Sequence, residues 1–223
     1  MTAIRSRRSV RGFRDEPVPQ AVVETILDTA RWAPSGGNLQ PWRVIAVAGE
    51  AREAVIRVAG EALFSGANEE GEHPIYPAGL HEPYRGRRHA VGEALYDALG
   101  VAQDDKAGRY RWVGENFRFF GAPVGLFFVI DRRMGHGQWA HLGMFMMAVA
   151  LAAEAEGLGT CMQEAWARVR GTLHAHLGLG EQELIYCGMA LGWPDPGHPS
   201  AAMVRTRAEV AELAEFQGFG EQA

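Results

Sequence analysis

The sequence is short of several things. Lysine occurs once, as Lys106, among 22 basic residues. Cysteine occurs twice, and Cys161 and Cys187 stand far apart in no metal-type spacing. That pattern predicts two reduced, buried thiols rather than a redox pair. No apolar run reaches the roughly 18 residues that a bilayer span requires. Met1 to Arg5 has no apolar stretch behind its charge, so no secretory leader is expected and the cytoplasm is the expected location. A net charge of −5 gives no footprint for nucleic acid. His73, His81, His89, His136, His141, His174, His176 and His198 include no HExxH-type pair, and no metal site is expected. No GxGxxG follows a strand-like run, which argues against a Rossmann dinucleotide site.

What is present is the composition of one globular unit. Hydrophobic residues make up 47% of the 223, enough for one well-buried core and too short a chain for two comfortable ones. Residues 1–223 are therefore read as a single domain. Pro19 to Trp32 has helical apolar spacing, with Pro19 suited to the first turn. Ala33 to Asn38 breaks it. Trp42 to Ala48, Pro123 to Ile130 and Leu184 to Leu191 read as strands. Glu50 to Leu63, residues 91 to 119 and Gln138 to Glu156 read as helical. Residues 64 to 90, with Pro74, Pro77 and Pro83, read as a long excursion with little regular structure. Few strands and several successive helices predict an α+β fold. Gln138 to Glu156 is apolar on more faces than a monomer would readily cover, which points to a homodimer.

Four short motifs carry chemistry. Arg7-Arg8-Ser9-Val10-Arg11 is a dense donor cluster, suited to a phosphate or simply a solvated basic terminus. Arginine grips phosphate bidentately, but genome composition also favours arginine over lysine, so position decides. Pro34 to Trp42 holds Gly36 and Gly37, which let backbone approach a flat ligand; a plain helix-to-strand turn fits as well. Gly157 to Glu164 follows the most apolar helix and reads either as its glycine stop and a crossing strand or as a ligand-facing turn. Arg205 and Arg207 point the same way on an extended segment, as a paired anion grip or an exposed basic pair.

In order and spacing these four motifs resemble the FMN-dependent nitroreductase family, from about Ile4 to Phe219. The matching segments are RRSVRGF, APSGGNLQPW, GLGTCMQE and VRTRA, and NFRFFGAP resembles the branch acting on nitroaromatics such as nitrobenzoates. The resemblance implies a nitroreductase-like fold: a mostly antiparallel central sheet flanked by helices, in an intertwined dimer. It implies that Arg7, Arg8 and Ser9 hold the FMN phosphate and ribityl end, with Arg205 and Arg207 closing from the other end of the chain. Arg11 would stand near the flavin pyrimidine edge, where a fixed cation favours the reduced state. Pro34, Ser35, Gly36 and Asn38 would pack on the ring from the partner subunit. The backbone of Glu164 would face flavin N5, with Gln163 beside it. No essential acid or base is implied, because the flavin carries the chemistry. NADH or NADPH would serve as transient reductant, and a small aromatic acceptor would follow in ping-pong order. Tyr76, Tyr84, Arg85, Arg87 and Arg88 are candidates to cover the open face and bind an acidic aromatic, or to form a solvated lid. Reduction of quinones, enones or haloaromatics, oxygen-driven flavin cleavage, and a non-catalytic flavin-binding module are the alternative readings.

Overall fold

The computed structural model describes residues 2–69 and 74–219; His73 lies outside them. Four strands form one sheet: β1 (Arg43–Ala48), β2 (Val124–Asp131), β3 (Gly159–Gln163) and β4 (Glu183–Gly192). Their order is β1-β2-β4-β3, and every neighbouring pair is antiparallel. The helices are α1 (Thr2–Ser6), α2 (Gln20–Ala30), α3 (Gly49–Phe64), α4 (Tyr84–Ala98), α5 (Lys106–Gly114), α6 (His136–Ala155), α7 (Arg170–His176) and α8 (Val210–Leu213). The expected α+β architecture is present.

The continuous apolar run of β2 is explained by its place in the sheet. β1 and β4 flank it, and helices cover both faces. Leu126, Phe128 and Ile130 enter one core with α2 and α6, while Phe127 and Val129 enter a second core with α3 and α7. A strand buried on both faces shows no polar alternation. The β2–β4 register slips between Phe128 and Val129. The extra residue on β4 is Tyr186, whose ring meets Trp139 edge-on at 5.4 Å. In the first core Trp42 stacks flat on Phe145 at 4.7 Å.

Three expectations are corrected. Pro19 lies one residue outside α2, as its N-cap in extended conformation. The excursion is not irregular to residue 90, because α4 begins at Tyr84. Pro83 directly precedes the first turn, a position where proline helps rather than breaks a helix. Glu82 secures that turn by accepting from Gly86 N–H at 2.9 Å. Residues 91 to 119 are not one helix either. The chain leaves α4 at Leu99 and restarts at α5, where Asp105 caps Gly108 N–H at 2.8 Å. Both cysteines are free and buried, as expected.

Gly188 on β4 is required by packing. A Cβ there would lie 2.2 Å from Trp166 Cδ1, and Trp166 is fully buried between Phe117, Phe119 and Phe127. Overpacking of this kind costs about 1–3 kcal/mol. Gly188→Val is expected to lower the urea midpoint correspondingly; an unchanged midpoint would show that the second core has slack around Trp166.

Candidate functional site

The site is assembled from the two ends of the sequence. After α1 the chain crosses the start of β3: Ser9 bridges Thr160, and Val10 N–H donates to Thr160 O at 2.9 Å. The crossing needs Gly159, where a Cβ would fall 2.6 Å from Val10 Cγ2. Beyond β4 the chain makes a short 3-10 turn, Pro199–Ala202, and returns to the same place. Arg8 fastens the two ends. Its Nη1 donates to Ala201 O and its Nη2 to Met203 O, both at 2.6 Å. Arg205 reaches back the other way, donating to the carbonyls of Arg7 and Arg5.

A cavity of about 750 Å³ opens where these ends meet. Arg7, Arg8, Ser9 and Arg11 line it from the N-terminal segment, Arg205 and Arg207 from the C-terminal one, and Arg87 from α4. Among the described residues lining it, Glu212 is the one acid. Six guanidiniums around one space repel each other. Burial, and then Arg8, Arg207 and Arg7, push Arg205 below the usual arginine range. Arg7 Nε is buried with no hydrogen-bond partner. An orphaned charged donor in a crowd of like charges is a site prepared for an anion, and the volume suits a drug-sized ligand. A phosphate, with up to two negative charges and several acceptor oxygens, fits this donor set.

From the cavity, β3 leads toward Gln163 and Glu164. Cys161, on β3, lies close enough to Arg11 and Arg7 for both to lower its thiol pKa, although burial raises it more. The Gln163 side chain is 1% exposed and turned inward. Its Nε2 donates to Asn116 O at 2.7 Å, and its Oε1 accepts from Trp166 Nε1 at 3.3 Å. Its side-chain amide is thus engaged on both ends, and Gln163 is paired with Gly188 of β4. Glu164 opens the following 3-10 segment, and burial raises its carboxyl above the ordinary range.

The Pro34–Asn38 block lies elsewhere. Gly36 N–H points at His141 Nδ1 (3.4 Å), near the start of α6. The arginine cavity is at the far end of that helix, where Glu154 acts electrostatically on Arg205. From His141 to Glu154 is about 20 Å along a helix rising 1.5 Å per residue. Within one chain the block and the cavity are thus apart. The block is also tightly folded. Gly37, Asn38 and Gln40 all have positive φ (61°, 54° and 48°), and Ser35 Oγ accepts from Gln40 N–H at 2.9 Å. Non-glycine residues held there cost about 1–3 kcal/mol each, strain that collects at functional segments.

Of the five excursion candidates, the structure brings only Arg87 into the cavity. Arg88 stacks on Tyr76, its guanidinium carbon 3.9 Å from the ring centroid. Arg85 pairs with Glu82 at 2.8 Å, and Tyr84 is exposed. Helical phase decides this: Arg87, Ala90 and Val91 share the face of α4 that borders the cavity. A segment read as loop offers no phase to use. Ser200, Met203 and Glu212 also line the cavity without standing out in the sequence, since none belongs to a dense donor motif; Thr206 lines it from between Arg205 and Arg207.

A family model described as the Nitroreductase family matches residues 4–193. The chain belongs to the nitroreductase family. Two relatives in that family are a chloronitrobenzene nitroreductase of Comamonas testosteroni and a 4-nitrobenzoate reductase of Pseudomonas putida. The first is 41% identical over 96% of this chain and 94% of its own length. The second is 35% identical over 97% and 94%. Among solved structures, the FMN- and NADPH-dependent nitroreductase NfnB from Sphigopyxis sp. strain HMH superposes with a TM-score of 0.94 at 43% identity, over 97% of this chain and 98% of that one. The FMN-dependent NfnB of Mycobacterium smegmatis, in complex with NADPH, gives a TM-score of 0.90 at 27% identity, over 96% of each chain. The nitroreductase fold is therefore shown along nearly the whole chain.

The crowding of arginines predicts stabilisation by simple anions. In this nitroreductase, millimolar inorganic phosphate is expected to raise the melting temperature more than chloride of equal ionic strength, because it binds only the folded site. Arg7→Ala should remove most of that difference. Equal effects of the two salts would leave the cavity as an ordinary basic surface.

Proposed function

We propose that this protein is a single-domain, cytoplasmic, FMN-dependent oxidoreductase that reduces nitroaromatic compounds at the expense of NADH or NADPH. The observation that carries the reading is the convergence of Arg7, Ser9, Arg11, Arg205 and Arg207 on one cavity, with Arg7 Nε lacking a partner. The activities for which the relatives are named support the acceptor class. Arg7, Arg205 and Arg207 would hold the FMN phosphate with Ser9, while Arg8 keeps the two chain ends in register. Arg11 also lines two smaller cavities of about 420 and 430 Å³ and so stands at a junction, from which it would reach the pyrimidine side of the ring. The backbone at Gln163 and Glu164 would meet the ring's reactive edge. FMN, when bound, supplies the two-electron chemistry that links a nicotinamide donor to a nitro group. The protein's share is to orient that ring, neutralise charge near it and leave one face open to donor and acceptor in turn, a ping-pong order.

The working unit in this reading is a homodimer. Pro34, Ser35, Gly36 and Asn38 lie too far from their own cavity to serve it, and a two-fold partner would deliver the same block to the other site. Exposed apolar side chains support such an interface: Trp32 is 80% exposed and Met144, on α6, 48%. Val204, Phe216 and Phe219 extend the pattern along the C-terminal segment.

The purified protein is expected to be yellow and to release FMN, not FAD, on denaturation; chromatography of the released cofactor decides it. A panel of nitroaromatics, quinones, enones and haloaromatics, read by oxidation of NADH or NADPH, tests the acceptor. Recovery of FAD, or no turnover of any nitro compound, would overturn the assignment.

Arg205→Ala and Arg207→Ala are each expected to weaken FMN binding about tenfold or more, since a hydrogen bond to a charged group is worth roughly 1.5–3 kcal/mol. Normal affinity in both would return these arginines to the surface.

Arg11→Gln is expected to slow reduction of the bound flavin by NAD(P)H, followed by stopped flow, more than it weakens FMN binding. Lost affinity with an unchanged reduction rate would move Arg11 to the phosphate end.

A further inference from the structure

One contact at the mouth of the cavity is separate from the bonds that fasten the chain ends. Arg87 Nη2, on α4, donates to Glu212 Oε2, on α8, at 3.0 Å. Both side chains line the cavity, and both are about half exposed, at 43% and 54%. The two partners are not equally tied to the pair. Glu212 Oε1 also accepts Glu209 N–H at 3.0 Å, completing the capping box that starts α8. If Arg87 departed, the carboxylate would keep that bond. A phosphate entering among Arg7, Arg205 and Arg207 would bring negative charge into the space that Glu212 borders. It would also offer Arg87 an acceptor with more charge and better fork geometry than one carboxylate oxygen.

We propose that Arg87 is a further phosphate ligand of this cavity, held by Glu212 in the ligand-free protein and passed to the phosphate when FMN binds. The proposal rests on the flavin reading of the cavity. The exchange has a mechanical side. Arg87 and Glu212 form an ion pair between α4 and α8, so phosphate binding unclips the two helices at the mouth. The Glu209 N–H first, and then Arg87, hold the Glu212 carboxyl below its usual range, so the competing charge is present throughout the neutral range.

Riboflavin, which lacks the phosphate, separates this from a general role. Apoprotein is titrated with FMN and with riboflavin, following flavin fluorescence. Arg87→Ala is expected to weaken FMN binding about tenfold and leave riboflavin unchanged. Glu212→Gln, which keeps an oxygen to cap α8, is expected to tighten FMN binding about threefold with riboflavin again unchanged. In the double variant the gain from Glu212→Gln should vanish. The proposal is overturned if the gain persists without Arg87, since that is mere repulsion by Glu212. It is also overturned if Glu212→Gln loosens FMN, or if Arg87→Ala shifts both flavins alike or neither. Should Arg87→Ala fold poorly, Arg87→Gln takes its place in both the single and the double variant, with the same outcomes expected. Wild-type protein that binds neither flavin would instead overturn the flavin reading itself.

Discussion

The structure turns on a concentration of positive charge that the fold creates and cannot neutralise by itself. Six arginines border one cavity against one carboxylate. The backbone carbonyls of Arg5, Arg7, Ser9, Ala201, Met203 and Thr206 accept from four of them, which holds those guanidiniums in place but supplies only partial charge. A bound anion would supply the missing charge. Everything nearby serves that assembly: Gly159 allows the N-terminal crossing, β4 delivers the chain back, and Arg8 clamps the result.

The sheet explains why the assembly holds its shape. β2 and β4 are buried on both faces, so the end of β4 and the start of β3 are anchored in two cores at once. The cavity is built at the rim of that rigid layer from segments with little regular structure of their own. Rigid strands supply position and short irregular segments supply donors. Loops carried on a fixed scaffold commonly bear function in this way.

The parts legible in the sequence are those with a local signal. The strand of Pro123 to Ile130 is readable from an unbroken apolar run, and the helix beginning near Gln138 from a long apolar stretch closed by Gly157 and Gly159. Arg7 to Arg11 and Arg205 to Arg207 stand out as dense charge. Their convergence is not readable from spacing, because it depends on pairings such as Arg8 with Ala201, 193 residues apart. The family resemblance supplies the link, and the cavity shows its physical form. The start of α4 escapes a reading of the sequence because Pro83 has the look of a breaker, when in fact it precedes a first turn. Without that helix no phase separates Arg87 from Arg85 and Arg88. Gln163 looks available as a polar residue in a glycine-rich motif, yet its amide joins Asn116 to Trp166 inside the second core.

The clasp between chain ends also has a consequence in time. Arg205 bonds to Arg7 across 198 residues. During synthesis, the N-terminal arginines leave the ribosome long before their partners exist. Both cores draw mainly on residues before Gly192, so the sheet can form while the tail is still being made. Closing so long a loop from an unfolded chain carries a substantial entropic penalty, but a preformed sheet has already brought the ends near. The arginine cavity can therefore close only after Arg205 and Arg207 have been translated, when the sheet that receives them is already made.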